Sequence, residues 1–301
     1  MTARVVDPQR LLPGMLLAMT GAITFSGKAI IVKLSYRYGV DAVTVIMLRM
    51  LFALPVFAAM AWWASRGKPP LTGRDWLGVL LLGFCGYYLS SFLDFAGLQY
   101  VTASLERLIL YLNPTFVMLL GWLLYRKRIA AMQVAGMAIS YCGVMLVFGH
   151  EIQLAGRQTA TGAALIFASA VSYAVYLVYS GQLVKRLGSL RLVGLATSVA
   201  CLFVLLQYAL LRPIGSAFEV APQVAWLAVL NATLCTAVPV LLVMMAIERI
   251  GPALSAQSGM VGPLATILMG VLILGEPFTA WIAAGTVLVI AGIFVFSRAS
   301  R

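Results

Sequence analysis

The stretch VTASLERLILYLNPTFVMLLGWLL, Val101 to Leu124, is apolar enough to cross a bilayer as a helix, yet it carries Glu106 and Arg107 side by side and an Asn113-Pro114 pair in its middle. A hydrocarbon core of roughly 30 Å is spanned by about 20 helical residues. At that depth an acid, a base and an amide each cost free energy unless they meet partners or water, so they mark a functional region by default. The helix is expected to face an internal cavity.

The rest of the chain has the same character. Of its 301 residues, 62% are hydrophobic and 10% charged, with a mean hydropathy of +1.01; soluble domains sit near about 45–50% and 25%. Apolar windows of helix-spanning length recur throughout, whereas barrel strands would alternate over about 10 residues. The fold class is an all-α polytopic membrane protein of ten transmembrane helices. The spans lie at about 12–33, 42–64, 75–98, 101–124, 129–148, 160–183, 190–211, 222–247, 252–274 and 279–297.

Charge gives the topology. Of the 21 Lys and Arg residues, 14 fall in connections on the side of the termini, 4 on the opposite side and 3 inside spans. Basic residues collect in the cytoplasm, so both termini are expected there. The net charge of +12 is read as this topology signal and not as a nucleic-acid footprint. The polar start MTARVVDPQR precedes a span too long for a signal peptide, and is read as leading into a retained helix. Cys85, Cys142, Cys201 and Cys235 lack ligand spacing and are expected as small buried residues. Trp62, Trp63, Trp76 and Trp122 fall near span ends as interface anchors.

A repeat appears at an offset of 149 residues: Pro114 matches Pro263, Gly121 matches Gly270, Gly136 matches Gly285 and Gly143 matches Gly292. The halves are divided as 1–149 and 150–301. Five spans per half means that the second copy is inverted, a plan common among alternating-access transporters. The turn Tyr125-Arg126-Lys127-Arg128 faces a counterpart Leu274-Gly275-Glu276-Pro277, as inversion and the positive-inside rule require.

Counting about 1.5 Å per residue places Lys28, Arg49, Asp94, Glu106 and Arg107 within roughly 10 Å of the external surface in the first half. Two readings stand: interfacial snorkelling or a structural ion-pair network, and an outer vestibule that recognises charged groups of a solute. In the second reading Glu106 is the group that takes part in proton coupling. Tyr111 and Asn113 extend the two faces inward. The third span offers Phe84, Tyr87, Ser91 and Asp94 at helical spacing, and the sixth offers Ser169, Tyr173, Tyr176 and Ser180. Such stripes hold an amphipathic solute or pack helices together. The second half is poorer in charge, with Ser255 and Ala256 at the places of Glu106 and Arg107 and with Gln257 as one of its main polar residues. Asn113-Pro114 and Gly262-Pro263 are matched interruptions, read either as packing kinks or as kinks that also gate.

Across essentially its full length the chain resembles the EamA-like branch of the drug/metabolite transporter superfamily. The resemblance is carried by LQYVTASLERLILYLNPTFVMLLGWLLYRKR, by GPALSAQSGMVGPLATILMGVLILGEP and by the final WIAAGTVLVIAGIFVF. It implies a ten-helix basket with a central cavity lined chiefly by the first, third, fourth, sixth, eighth and ninth helices. It also implies peripheral fifth and tenth helices that often join subunits, so a monomer or a homodimer. The family's Gly-Glu turn matches Gly275-Glu276, while the first half has Arg126-Lys127 there. The expected function is a secondary transporter exporting small amphipathic metabolites, with amino acids one candidate class and proton exchange a candidate coupling. Its partners are the small-molecule substrate and membrane lipids; no nucleic acid, cofactor or metal is expected. Direct ATP drive is disfavoured because no phosphate-cradling Gly-rich Lys motif is present. A channel, a lipid-handling protein and a membrane enzyme are the rivals; the single histidine, His150, offers no catalytic constellation.

Overall fold

Where water cannot reach, only a helix or a closed barrel satisfies every backbone N–H and C=O. In the computed structural model, which describes residues 8–126 and 130–298, the chain is helical throughout and no strand occurs among the described residues. The apolar elements are α1 (Pro8–Tyr36), α2 (Ala42–Ser65), α3 (Gly73–Leu98), α4 (Ala103–Leu124), α5 (Ala131–Ala155), α6 (Arg157–Leu187), α7 (Ser189–Leu211), α8 (Pro222–Ile247), α9 (Gly262–Leu274) and α10 (Ala280–Arg298). Eight have spanning length, and α9 and α10 are shorter. Large apolar side chains such as Leu210, Leu272 and Trp226 are exposed on the outside, which a lipid surround accounts for. Trp62, Trp63, Trp76 and Trp122 are exposed too, and the Arg66 guanidinium lies 3.7 Å over the Trp62 ring. Cys201 and Cys235 are buried as expected of small apolar residues, but Cys142 is exposed on α5.

The ninth helix differs from its predicted span of 252–274. Helix continues past α8 through Val238–Ser258 and a 3-10 turn at Gly259–Val261 before α9 begins. Ile250 packs on Gly14 of α1, whereas Gly259 lies beside Ala22, so the chain reverses along α1 with no extended loop.

Pairing of the helices shows the inverted repeat. α1 packs on α8 and α6 on α3, a pair of contacts that the repeat exchanges, while α2 packs on α7 and α5 on α10. At the α5–α10 crossing, a Cβ on Gly136 would stand 2.7 Å from the Gly292 carbonyl oxygen, and one on Gly143 would stand 2.7 Å from that of Gly285. Each glycine thus faces the repeat partner of the other, as a two-fold axis between the helices requires. Ser140, whose repeat partner is Val289, donates its hydroxyl to the Val289 carbonyl at 3.4 Å. Small residues let membrane helices meet backbone to backbone, where dispersion and weak polar contacts hold them without a hydrophobic driving force.

The helix interruptions also come in repeat pairs. α3 contains a π-turn at Phe84–Leu89 and α8 one at Thr233–Ala237, 149 residues later. Ser172 and Ser169 of α6 donate to the carbonyls of Cys85 and Ser90 around the first, at 2.8 and 2.7 Å, and Thr236 donates to the Asn231 carbonyl at the second, at 2.8 Å. α4 breaks after Leu110 and restarts at Asn113 with Pro114 in its first turn; α9 starts at Gly262 with Pro263 in the same place. The carbonyl of Leu112 takes the Thr115 hydroxyl at 2.6 Å, and that of Gly262 takes the Ser26 hydroxyl of α1 at 2.8 Å. The predicted kinks are therefore helix restarts, and the Gly259 carbonyl, which Pro263 frees, takes the Gly262 N–H.

One repeat position is strained in the first half. Gly275 ends α9 in the left-handed region at φ 71°, and its counterpart Arg126 adopts φ 50° after α4. A residue with a Cβ pays roughly 1–2 kcal/mol there and glycine does not. Arg126→Gly is expected to raise the thermal unfolding midpoint in detergent by a few degrees; a lowered midpoint would contradict the strained turn.

Candidate functional site

The structure brings Lys28 of α1, Arg49 of α2, Asp94 of α3, and Glu106 and Arg107 of α4 into one cluster, each no more than 7% exposed. Lys28 is its hub. Its Nζ donates to Asp94 Oδ2 at 2.5 Å and lies 3.7 Å from Glu106 Oε1. Arg107 Nε stands 4.0 Å from Glu106 Oε2 and donates to the Thr266 hydroxyl of α9 at 2.9 Å. Arg49 Nε donates to the Thr236 hydroxyl in the α8 π-turn at 3.1 Å. Both arginines of the cluster therefore reach across to hydroxyls of the second half.

Two phenylalanine rings complete the group. Lys28 Nζ and Arg107 Cζ lie 5.6 and 5.8 Å from the Phe25 centroid, and Lys28 Nζ and Arg49 Cζ lie 6.0 and 5.2 Å from that of Phe95. Such contacts contribute about 0.5–2 kcal/mol each. Several polar atoms nonetheless have no hydrogen-bond partner among the described residues: Arg49 Nη1, Arg107 Nη2, Asp94 Oδ1 and both carboxylate oxygens of Glu106. Buried polar groups in native proteins are satisfied with few exceptions, so this concentration in one place sets the cluster apart from the rest of the interior. The repeat counterparts of the five residues are Leu177, Ser198, Val243, Ser255 and Ala256, so the charge belongs to one half alone.

The other candidates divide. Tyr87 and Tyr176 meet with hydroxyls 3.0 Å apart and rings edge to face at 5.1 Å, and Tyr173 stacks on Tyr176 at 5.5 Å. Tyr176 fits because Gly86 of the α3 π-turn leaves room for its ring. At the matching place in the other half the small residue is Gly27 of α1, against Cys235. Phe84 points elsewhere, edge-on to Phe203 of α7 at 5.7 Å, because the π-turn breaks the spacing that would align it with Tyr87. The Tyr111 hydroxyl lies against Gly262 at the start of α9. Asn113 stands at the α4 restart with its Oδ1 buried and unpartnered among the described residues. The side chain of Gln257 lies outside the described residues.

A second polar network links α1, α4 and the end of α9 at the end of the bundle opposite the termini. Glu276, just after α9, accepts the Ala103 N–H at 2.8 Å and the Ser104 hydroxyl at 3.3 Å at the start of α4, and lies 3.5 Å from Lys33 of α1. Lys33 Nζ also donates to the Val101 carbonyl at 2.6 Å, and Arg37 donates to that of Leu274. Thr102 caps α4 and gives its own hydroxyl to Glu151 of α5. One carboxylate thus ties α1, α4 and α9 together while facing the positive end of α4, where an anion is favoured.

Thr236, Thr266, Phe25, Phe95, Glu276, Glu151 and Lys33 were not among the sequence candidates. The hydroxyls and rings sit in apolar runs with no pattern of their own, whereas Glu276 was visible as half of a Gly-Glu turn without its partners. No group of three or more His, Cys, Asp or Glu able to hold a metal occurs among the described residues.

Comparison with known proteins agrees with this architecture. The model of the EamA-like transporter family matches residues 12–149 and 160–298, one copy per half. The uncharacterized transporter YcbK of Bacillus subtilis strain 168 is 30% identical over 87% of this chain and 86% of its own. YetK of the same organism, also an uncharacterized transporter, is 25% identical over 94% and 86%. A solved crystal structure described only as that of a protein superposes with a TM-score of 0.61 at 20% identity, covering 97% of this chain and 99% of its own, a likeness of fold alone. With two family-length halves, paired helix restarts and relatives aligned along nearly the whole chain, this protein belongs to the EamA-like transporter family.

Proposed function

We propose that the chain is a secondary carrier of the bacterial inner membrane that exports small amphipathic metabolites, amino acids among the candidates, by alternating access. The observation that carries the reading is the buried cluster of Lys28, Arg49, Asp94, Glu106 and Arg107, whose two arginines hold hydroxyls of the opposite repeat. A site shared between repeats is where rocking of one half against the other changes the contacts of a bound solute. Charges kept at membrane depth in a bundle interior are characteristic of solute and proton pathways.

The distribution of basic residues supports an orientation with both termini in the cytoplasm. The Glu276 network then closes the external end. Its repeat counterpart cannot form in the same way, because Glu276 corresponds to Lys127, and Ala103 corresponds to Pro252, which has no N–H to give. This lock favours the externally closed state, and the Arg186–Asp75 pair between α6 and α3 at the other end opposes it. Glu276→Ala leaves the Ala103 N–H without that acceptor and Lys33 without its carboxylate, a loss of about 1.5–3 kcal/mol per charged hydrogen bond. In a background lacking the four native cysteines, a cysteine at Ser104 should then react with an external membrane-impermeant maleimide at least about tenfold faster. Equal rates with and without Glu276 would remove the lock.

Glu106 is the group we assign to proton exchange, since protonating this fully buried carboxylate beside Lys28 and Arg107 changes the charge of the cluster by one with each turnover. In proteoliposomes, transport by the Glu106→Gln variant should lose its dependence on a pH gradient. Unchanged dependence in this variant takes Glu106 out of that role.

A further inference from the structure

The charge balance of the cluster specifies its solute more narrowly than the fold does. Lys28, Arg49 and Arg107 are three cations facing two carboxylates, Asp94 and Glu106, all of them buried. We infer that the site is built for a solute with a single net negative charge, bound through a carboxylate and carrying a neutral hydrogen-bond donor beside it. This rests on the carrier reading above and deepens it.

Removing an ion from water costs several kcal/mol unless an opposite charge and hydrogen bonds replace the water. Here one positive charge is left over. The described neighbours of the two arginines in the second half are hydroxyls, Thr236 and Thr266, which orient each guanidinium through Nε without neutralising it. The cations lean instead on the faces of Phe25 and Phe95, whose quadrupoles replace a counter-anion only in part. Arg49 Nη1 and Arg107 Nη2 remain as donors without acceptors among the described residues. A carboxylate supplies two acceptor oxygens and the missing charge together, and the guanidinium fork suits it better than an ammonium would.

The remaining orphans are acceptors: Asp94 Oδ1 and the two oxygens of Glu106. A neutral N–H or O–H near the solute carboxylate meets them without changing the charge. An ammonium group would meet them too, but a zwitterion adds no net charge and leaves the excess in place, and an amine raises it. N-acyl amino acids and hydroxy acids have the matching chemistry; free amino acids have one charge too many.

The test uses four leucine derivatives of nearly one shape: N-acetylleucine (anion), leucine (zwitterion), N-acetylleucinamide (neutral) and leucinamide (cation). With the purified full-length chain in detergent, N-acetylleucine should raise the unfolding midpoint in a saturable way and the other three should do so at least about tenfold more weakly. Arg49→Gln and Arg107→Gln should each weaken the response to N-acetylleucine by about tenfold or more. Equal or stronger binding of leucine or leucinamide, or no shift with N-acetylleucine, overturns the inference. Thr236→Glu tests it without a ligand by placing an anion beside Arg49. Its midpoint should rise above that of Thr236→Gln by a few degrees and cease to respond to N-acetylleucine; a midpoint below that of Thr236→Gln shows that no anion was missing. Counterflow separates the two proposals. Saturable counterflow of leucine without that of N-acetylleucine defeats the charge inference and leaves the carrier standing. Saturable binding of N-acetylleucine without counterflow of any of the four does the reverse.

Discussion

Replacing Lys28 by methionine should lower the unfolding midpoint of the purified protein by about 10 °C, since breaking a buried ion pair costs about 3–5 kcal/mol and each kcal/mol moves the midpoint of a large domain by about 2–4 °C. Methionine nearly matches the lysine stem in volume, so the loss is electrostatic. Asp94 and Glu106 are 2% and 0% exposed, and Lys28 is within 4 Å of both. Without it, Asp94 loses its 2.5 Å donor and Glu106 loses the cation 3.7 Å away. Removing both partners of the closer pair leaves Glu106 as the one carboxylate that has lost a cation, so Lys28→Met combined with Asp94→Leu should recover more than half of the lost midpoint. A double variant no more stable than the single one would show that Asp94 is not the group that makes Lys28 necessary.

Gly143→Leu should destabilise the protein by about 3 kcal/mol, the upper end of what overpacking costs. A Cβ there would stand 2.7 Å from the Gly285 carbonyl oxygen and 2.9 Å from Leu288 Cβ. The first obstacle is backbone, so no rotamer change relieves it and α5 must part from α10. Gly149 lies on the same helix with nothing within 4 Å of its Cβ position. Gly149→Ala should therefore gain about 0.5–1 kcal/mol from helix propensity. Thermal unfolding of both variants decides the matter: a Gly143→Leu protein as stable as Gly149→Ala would mean that the α5–α10 crossing is not as close as described.

Much of the architecture is legible in the residues. Apolar run length gives the helices, and the matches of Gly136 with Gly285 and Gly143 with Gly292 give the inversion before any contact is known, because a backbone crossing about a two-fold axis needs a small residue four times. Asn113-Pro114 and Gly262-Pro263 likewise mark the helix restarts. The limits have physical causes as well. A π-turn is a change of backbone hydrogen bonding with no residue type of its own, so the stripe from Phe84 to Asp94 reads as one face although the turn sends Phe84 toward Phe203. Hydroxyls of Thr236 and Thr266 become visible as partners only when arginines from α2 and α4 arrive opposite them. Glu276 caps a helix that begins 173 residues earlier in the chain, a relation that local spacing does not encode.

The clustering of Lys28, Asp94, Glu106 and Arg107 was placed by depth counting alone, and the helices then bring the four within salt-bridge reach in sequence, Asp94 to Lys28, Lys28 to Glu106, and Glu106 to Arg107. Depth counting brings such residues to one level because the rise per residue is fixed and membrane thickness bounds the answer. It does not report the contact of Glu276 with Lys33, which joins the start of α4 to α1 at one end of the bundle.

The most direct measurement is counterflow in proteoliposomes: purified protein, an inside load of unlabelled N-acetylleucine or leucine, and a trace of the same labelled solute outside. A carrier with its site at this cluster predicts a transient accumulation of label above equilibrium that saturates with solute concentration and disappears in Arg107→Gln. Flux that rises linearly with concentration, shows no overshoot and is the same in Arg107→Gln would contradict both the carrier and its site.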